Sequence, residues 1–138
     1  MNSPIGKLIA IGGAEDKGTE SEGFYTQHHN LHFFELGILR RVVQEVGGVD
    51  RRIEVITTAS SIPKEVGENY LGAFGKIGCE NVGILNIRNR EEAKDEQNLL
   101  RIRSASCVMI SGGDQLRLSS IFGGTDFLQI ILDRYIYD

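Results

Sequence analysis

Apolar residues along the chain fall into two rhythms. Four short runs are continuous: Lys7–Ile11, Ile53–Thr58, Asn81–Asn86 and Cys107–Ser111. Runs that do not alternate, are rich in β-branched residues and end at turn residues predict strands covered on both faces. Between them the apolar positions recur at helical spacing. Leu31, Phe34, Ile38, Leu39, Val42 and Val46 form one stripe, with Glu35, Arg40, Arg41, Gln44 and Glu45 on the other side and Gly47-Gly48 as the stop. Pro63 suits the first turn of a second helix, whose stripe is Val66, Tyr70, Phe74 and Ile77 and whose end is Gly78. Asn89 and Glu92 have capping-box spacing and would open a mostly charged helix from Glu91 to about Ser104. Gln115 to Phe122 reads as a short helix. Thr125 caps a last one, striped by Leu128, Ile131, Leu132 and Tyr135.

Strands alternating with helices imply right-handed crossovers and a parallel sheet. The expected fold is α/β: a three-layer sandwich with a mostly parallel sheet and helices on both faces, spread over one domain, residues 1–138. Lys7–Ile11 is its first buried strand, and Ala14 to Asn30 is a long polar loop. The chain stops in or just past a helix, where this architecture normally supplies another strand. Four strands can fold, yet the stop also looks like a sheet incomplete at its carboxyl end. A missing central strand would leave an apolar edge prone to self-association.

Composition narrows the classes without choosing one. The 138 residues are 41% hydrophobic and 25% charged, which is ordinary for a globular domain. A net charge of -4 and a pI near 5.4 give nucleic-acid binding no electrostatic footing. No apolar run approaches the ~18 residues of a membrane span. The first residues do not have the charged-then-apolar layout of a secretory signal, so a cytoplasmic protein is expected. Cys79 and Cys107 stand far apart with no metal spacing, and read as reduced thiols.

Four places could carry chemistry. Gly12-Gly13 ends the first run but lacks the G-x-G-x-x-G spacing of a dinucleotide site, and Glu15 and Asp16 would repel phosphate. Those acids suit a cationic group, and a solvated turn explains them equally well. His28, His29 and His32 cluster, with His28 and His32 at i and i+4, but no third ligand is evident and a surface cluster accounts for them. Thr57, Thr58, Ser60 and Ser61 place four hydroxyls at the end of the second run, able to line a site or cap the next helix. Finally, Ser111-Gly112-Gly113-Asp114-Gln115 ends the fourth run in a turn. Successive N–H groups there can hold an oxyanion beside a helix N-terminus. A tight turn with Asp114 as helix cap is the equal alternative.

Four colinear blocks, Leu8–Lys17, Ile53–Tyr70, Ile110–Leu118 and Gly123–Tyr135, resemble the successive landmarks of the cyanophycinases. These belong to a serine-peptidase family that includes an aspartyl dipeptidase, on a fold similar to class I glutamine amidotransferases. The resemblance implies a hydrolase that releases β-Asp-Arg dipeptides from cyanophycin through a Ser–His–acid arrangement, with no metal or cofactor. It implies that the chain corresponds to the N-terminal part of a larger hydrolase domain. The family's nucleophile lies in a Gly-Thr-Ser-Ala-Gly-like turn after a helix resembling Leu128–Tyr135, and its histidine and acid lie further on. All three are therefore expected to be missing here, leaving the chain alone inactive. Gly113 and Asp114 match the oxyanion-hole turn, Gln115 a glutamine at the substrate rim, and Glu15 and Asp16 the pocket edge. Thr57 stands where many relatives have proline. The implied partner is a peptide-like substrate rather than nucleic acid or membrane, and a homodimer is compatible. The alternative is a non-catalytic domain that binds a β-aspartyl dipeptide or another small ligand.

Overall fold

The structure, a computed structural model, describes residues 3–12 and 36–138. The central strand β1 (Ile53–Ile56) pairs in parallel with β2 (Val82–Leu85) on one side and β3 (Cys107–Ile110) on the other. The order is β2-β1-β3. Among the described residues five α-helices cover the two faces: α1 (Leu36–Val46), α2 (Pro63–Ile77), α3 (Glu96–Ser104), α4 (Gln115–Phe122) and α5 (Asp126–Tyr137). This is the three-layer α/β arrangement, built on a sheet of three parallel strands.

Side-chain alternation along β1 sorts the core into two clusters. Ile53 and Val55 point to the face where Leu39 and Val43 of α1 and Phe74 of α2 pack, joined by Cys107 and Met109 from β3. Ile56 points to the other face, among Leu99 and Ile102 of α3, Phe122 of α4 and Phe127 of α5. The Phe122 and Phe127 rings stack there with centroids 4.8 Å apart. Each helix stripe therefore faces the sheet. The stripe of α5 is rotated from the expected one: Phe127 is fully buried and Leu132 is 44% exposed. The expected helix from Glu91 is also divided. The Asn89 and Glu92 side chains and backbone do bond each other, but they close a 3-10 turn at Glu92–Lys94. The α-helix starts afresh at Glu96, capped by the Asp95 carboxylate on the N–H groups of Gln97 and Asn98.

A larger correction concerns the first apolar run. Residues 7–11 are not in the sheet: Leu8 is 80% exposed, Ile9 46% and Ile11 41%. A strand run needs a neighbouring ladder as well as apolar side chains, and no ladder pairing holds this one. The expected loop, Ala14 to Asn30, lies outside the described residues, as does the start of the first helix.

One charged group lies inside the sheet layer. Glu54 is fully buried on β1, and Arg52 and Arg101 enclose its carboxylate at 2.6 Å each. Arg101 is bidentate, Nε at 3.0 Å and Nη2 at 2.6 Å, and also donates to the Ile84 carbonyl. Gly83 is the register partner of Glu54 on β2. A Cβ at Gly83 would strike the Arg52 guanidinium and lie 2.5 Å from Arg101 Nη2. Removing one partner of a buried pair strands the others without solvation. Glu54→Ala is therefore expected to lower unfolding free energy by about 3 kcal/mol, read from urea melts, and Gly83→Ala to destabilise through the same cluster. Either variant at parental stability would contradict this role.

Candidate active-site wall

In a parallel sheet all strands deliver their carboxyl ends to one edge, where ligands usually bind. Here that edge holds the loop after β1 (Thr57–Ile62) and the loop after β3 (Ser111–Asp114). The Asp114 N–H donates to the Ala59 carbonyl at 2.9 Å, locking the two loops together. Gly113 has φ +144°, and a Cβ there would collide with the Ala59 carbonyl oxygen. Only glycine meets both demands: a backbone angle that L side chains avoid, and backbone contact with no intervening side chain.

Two guanidinium groups reinforce the junction from either side. Arg117 of α4 donates to the Ser60 carbonyl at 2.8 Å. Arg88, just beyond β2, donates to the carbonyls of Thr58 and Ser60 at 3.1 and 3.2 Å. Neither arginine was singled out from the sequence. The available signal was position: each lies a few residues past a strand end in a parallel sheet. Carbonyls turned away from the ladder need donors, and these two side chains supply them.

The residues at the rim divide by role. The Asp114 carboxylate caps α4, accepting from Leu116 N–H at 2.9 Å and from Arg117 N–H at 3.4 Å. The helix-cap reading of Asp114 is thus observed, and its own N–H is engaged by Ala59. The Gly113 N–H and the Gln115 side chain have no partner among the described residues, and both residues are exposed. Glu15, Asp16, His28, His29 and His32 lie outside the described residues. Among the described residues no cluster of His, Cys, Asp or Glu could hold a metal ion.

The hydroxyls after β1 are not equivalent. Ser60 Oγ accepts the Ile62 N–H at 3.0 Å at the entrance to α2. Thr57 Oγ1, Thr58 Oγ1 and Ser111 Oγ are buried and have no hydrogen-bond partner. Three orphaned hydroxyls at the carboxyl ends of two adjacent strands are unusual, since buried polar atoms are nearly always paired. The Thr57 N–H extends the sheet by donating to the Leu85 carbonyl at 3.1 Å, a bond proline could not make. At the opposite, amino end of the strands, a shallow depression is lined by Val49, Asp50, Gly78, Glu80 and Asn81, remote from this rim.

Neither described cysteine is an activated nucleophile. Cys107, on β3, has its thiol pushed up to about 11 by burial, and burial likewise raises Cys79. Both remain protonated thiols at neutral pH and are poor nucleophiles.

Known sequences are similar to this chain over most of its length. The cyanophycinase of Trichormus variabilis is 35% identical over 127 residues, covering 92% of this chain and 38% of its own length. That of Synechococcus elongatus is 37% identical over 123 residues, covering 89% and 34%. Over about nine-tenths of its length this chain is similar to cyanophycinases. The cyanophycinase of Geminocystis herdmanii is 30% identical over 127 residues, 92% of this chain and 41% of its own. The chain thus spans between 34% and 41% of these curated relatives. No family model matches it. Among the described residues, no helix is long and apolar enough to cross a membrane.

The Gly113–Ala59 contact carries a direct test. Gly113→Ala should cost at least about 2 kcal/mol of stability, because the strained φ and the steric clash add. A urea midpoint unchanged by the substitution would show that the loops do not meet as described.

Proposed function

We propose that this chain forms the oxyanion and substrate rim of a cyanophycinase-like serine hydrolase, a wall of the active site rather than the whole of it. The observation that carries the reading is the Gly113 turn. Its exposed N–H is unpartnered, it stands beside the N-terminus of α4, and it is held rigidly by the Ala59 contact. A donor fixed before the reaction stabilises developing negative charge without reorganising. Asp114 contributes by capping α4 and by fixing Gly113, and its own N–H stays with Ala59. Gln115, exposed and unpartnered at the first turn of α4, offers an amide donor and acceptor to a β-aspartyl backbone. Glu15 and Asp16 suit the cationic arginine end of such a substrate. The substrate would be cyanophycin and the product β-Asp-Arg.

The chain contains no Gly-x-Ser-x-Gly motif. The nucleophile, its histidine base and the orienting acid would come from sequence that the relatives have beyond the matched region, and the chain alone would not turn over substrate. A non-catalytic binding domain is the second reading. It is favoured by the absence of a Gly-x-Ser-x-Gly motif, and by the Asp114 N–H being engaged within the fold. The two readings separate when the remaining sequence of a relative is supplied. Restored hydrolysis supports the enzyme reading, and tight binding without hydrolysis supports the other.

The purified chain is expected to bind β-Asp-Arg in calorimetry, to lose about tenfold in affinity on Gln115→Ala, and to release no dipeptide from cyanophycin. Release of β-Asp-Arg by the purified chain, or affinity untouched by Gln115→Ala, would contradict the proposal.

A further inference from the structure

Arginine side chains converge in pairs at two places in the fold. At the first, Arg52 and Arg101 meet the Glu54 carboxylate, where opposite charges attract. At the second, on the carboxyl edge of the sheet, Arg88 and Arg117 meet the Ser60 carbonyl, which carries no net charge. Arg88 Nη1 donates to that oxygen at 3.2 Å and Arg117 Nη1 at 2.8 Å. The two nitrogens can be no further apart than these bonds laid end to end. That is inside the roughly 10 Å over which salt screens charge. Like charges held this close raise each other's energy unless an anion joins them.

The described residues supply no such anion. None of their carboxylates forms an ion pair with either guanidinium. Two acids border the arginines along the chain, and both are spent on other donors. Glu92 accepts the Arg88 main-chain N–H at 2.7 Å and Asn89 Nδ2 at 3.3 Å. Asp114 accepts the main-chain N–H groups of Leu116 and Arg117. Arg117 moreover lies in the first turn of α4, where the helix dipole is positive and disfavours a cation.

Both guanidinium groups keep donors in reserve. Arg117 Nη1 serves the Ala59 and Ser60 carbonyls, and Arg88 Nη1 serves the Thr58 and Ser60 carbonyls and Asn86 Oδ1. Nε and Nη2 of both side chains have no acceptor among the described residues. A guanidinium grips a carboxylate through two such parallel N–H groups. The Nη1 bonds fix each fork before a ligand arrives, so little side-chain entropy remains to be lost on binding. Arg88 is exposed and Arg117 half-buried, the latter two residues beyond Gln115 on the same helix.

We propose that Arg88 and Arg117 form a carboxylate subsite at the rim, and that it takes the α-carboxylate on the arginine unit of a β-Asp-Arg ligand. The chemistry of the polymer selects that carboxylate. In a polyaspartate chain with an arginine on each side-chain carboxyl, the aspartate carboxyls are consumed in backbone and side-chain amides. The arginine α-carboxylate is free in every unit, and it passes unchanged into the released dipeptide. The inference rests on the reading of the rim given above. It adds a pair that reads charge to the Gly113 and Gln115 groups, which are neutral.

Calorimetry on the 138-residue chain tests it with two ligands: β-Asp-Arg, and its α-amide, in which a neutral carboxamide replaces the arginine carboxylate. The dipeptide should bind at least about tenfold more tightly than the amide. In Arg88→Gln and in Arg117→Gln that preference should fall below about threefold. In nitrogen-15 spectra of the parental chain, the Nε–H signals of Arg88 and Arg117 should shift with the dipeptide and stay in place with the amide. Arg101, whose Nε is bonded to Glu54, should move with neither. Equal affinity for the two ligands overturns the inference and leaves the reading of the rim standing. So does a preference that survives both substitutions, or Nε–H signals that the dipeptide does not move. Failure of both ligands to bind overturns the inference and the reading together. Should either variant fail to fold, the parental preference and the parental Nε–H shifts decide the question.

Discussion

The Ala59 carbonyl oxygen accepts the Asp114 N–H and rests against the bare Cα of Gly113, and this contact ties the loop after the central strand to the loop after its neighbour. Everything at the carboxyl edge is placed relative to it. Asp114 is held where its carboxylate starts α4, and α4 sets Arg117 back over the Ser60 carbonyl. Arg88 closes the same loop from the β2 side. The result is a small, cross-linked ledge in which backbone donors and acceptors are fixed by the fold itself. Such preorganisation is what electrostatic stabilisation of an oxyanion requires.

The interior beneath the ledge has its own organising charge. Burying Glu54 on the central strand demands compensation, and Arg52 and Arg101 supply it from β1 itself and from α3. The guanidinium groups lie over Gly83, so one face of β2 is reserved for charge rather than apolar packing. The buried pair specifies register, since a shift of β2 by one residue would place a side chain where the arginines sit. Through Arg101 it also joins α3 to the sheet, beside the Leu99 and Ile102 contacts.

Much of this was legible in the residues. Continuous apolar runs at Ile53, Val82 and Cys107 announced strands covered on both faces, and the helical stripes of α1 and α2 face the sheet as their spacing implied. Asp114 and Thr125 have the residue types that cap helices, and both do so. What could not be read were relations across the chain. Periodicity cannot show that Glu54 meets Arg101, that Gly113 touches Ala59, or that Arg88 and Arg117 converge on one loop. Nor does an apolar run carry its own partner: Lys7–Ile11 has the composition of a strand and stands exposed without a ladder. The charged helix is interrupted where the extended backbone of Asp95 ends the 3-10 turn and its carboxylate caps a new α-helix. The chain is similar to cyanophycinases over most of its own length, while it spans well under half of those relatives.

In the proposed reading the ligand-facing surface is the ledge made by the loops after β1 and β3. Titrating β-Asp-Arg into the isotope-labelled chain and mapping amide shifts would test it most directly. The account predicts that the perturbed amides cluster at residues 57–61 and 111–117, led by Gly113 and Gln115. Perturbations confined to the depression at Val49, Asp50 and Asn81, or an unperturbed spectrum at saturating dipeptide, would contradict it.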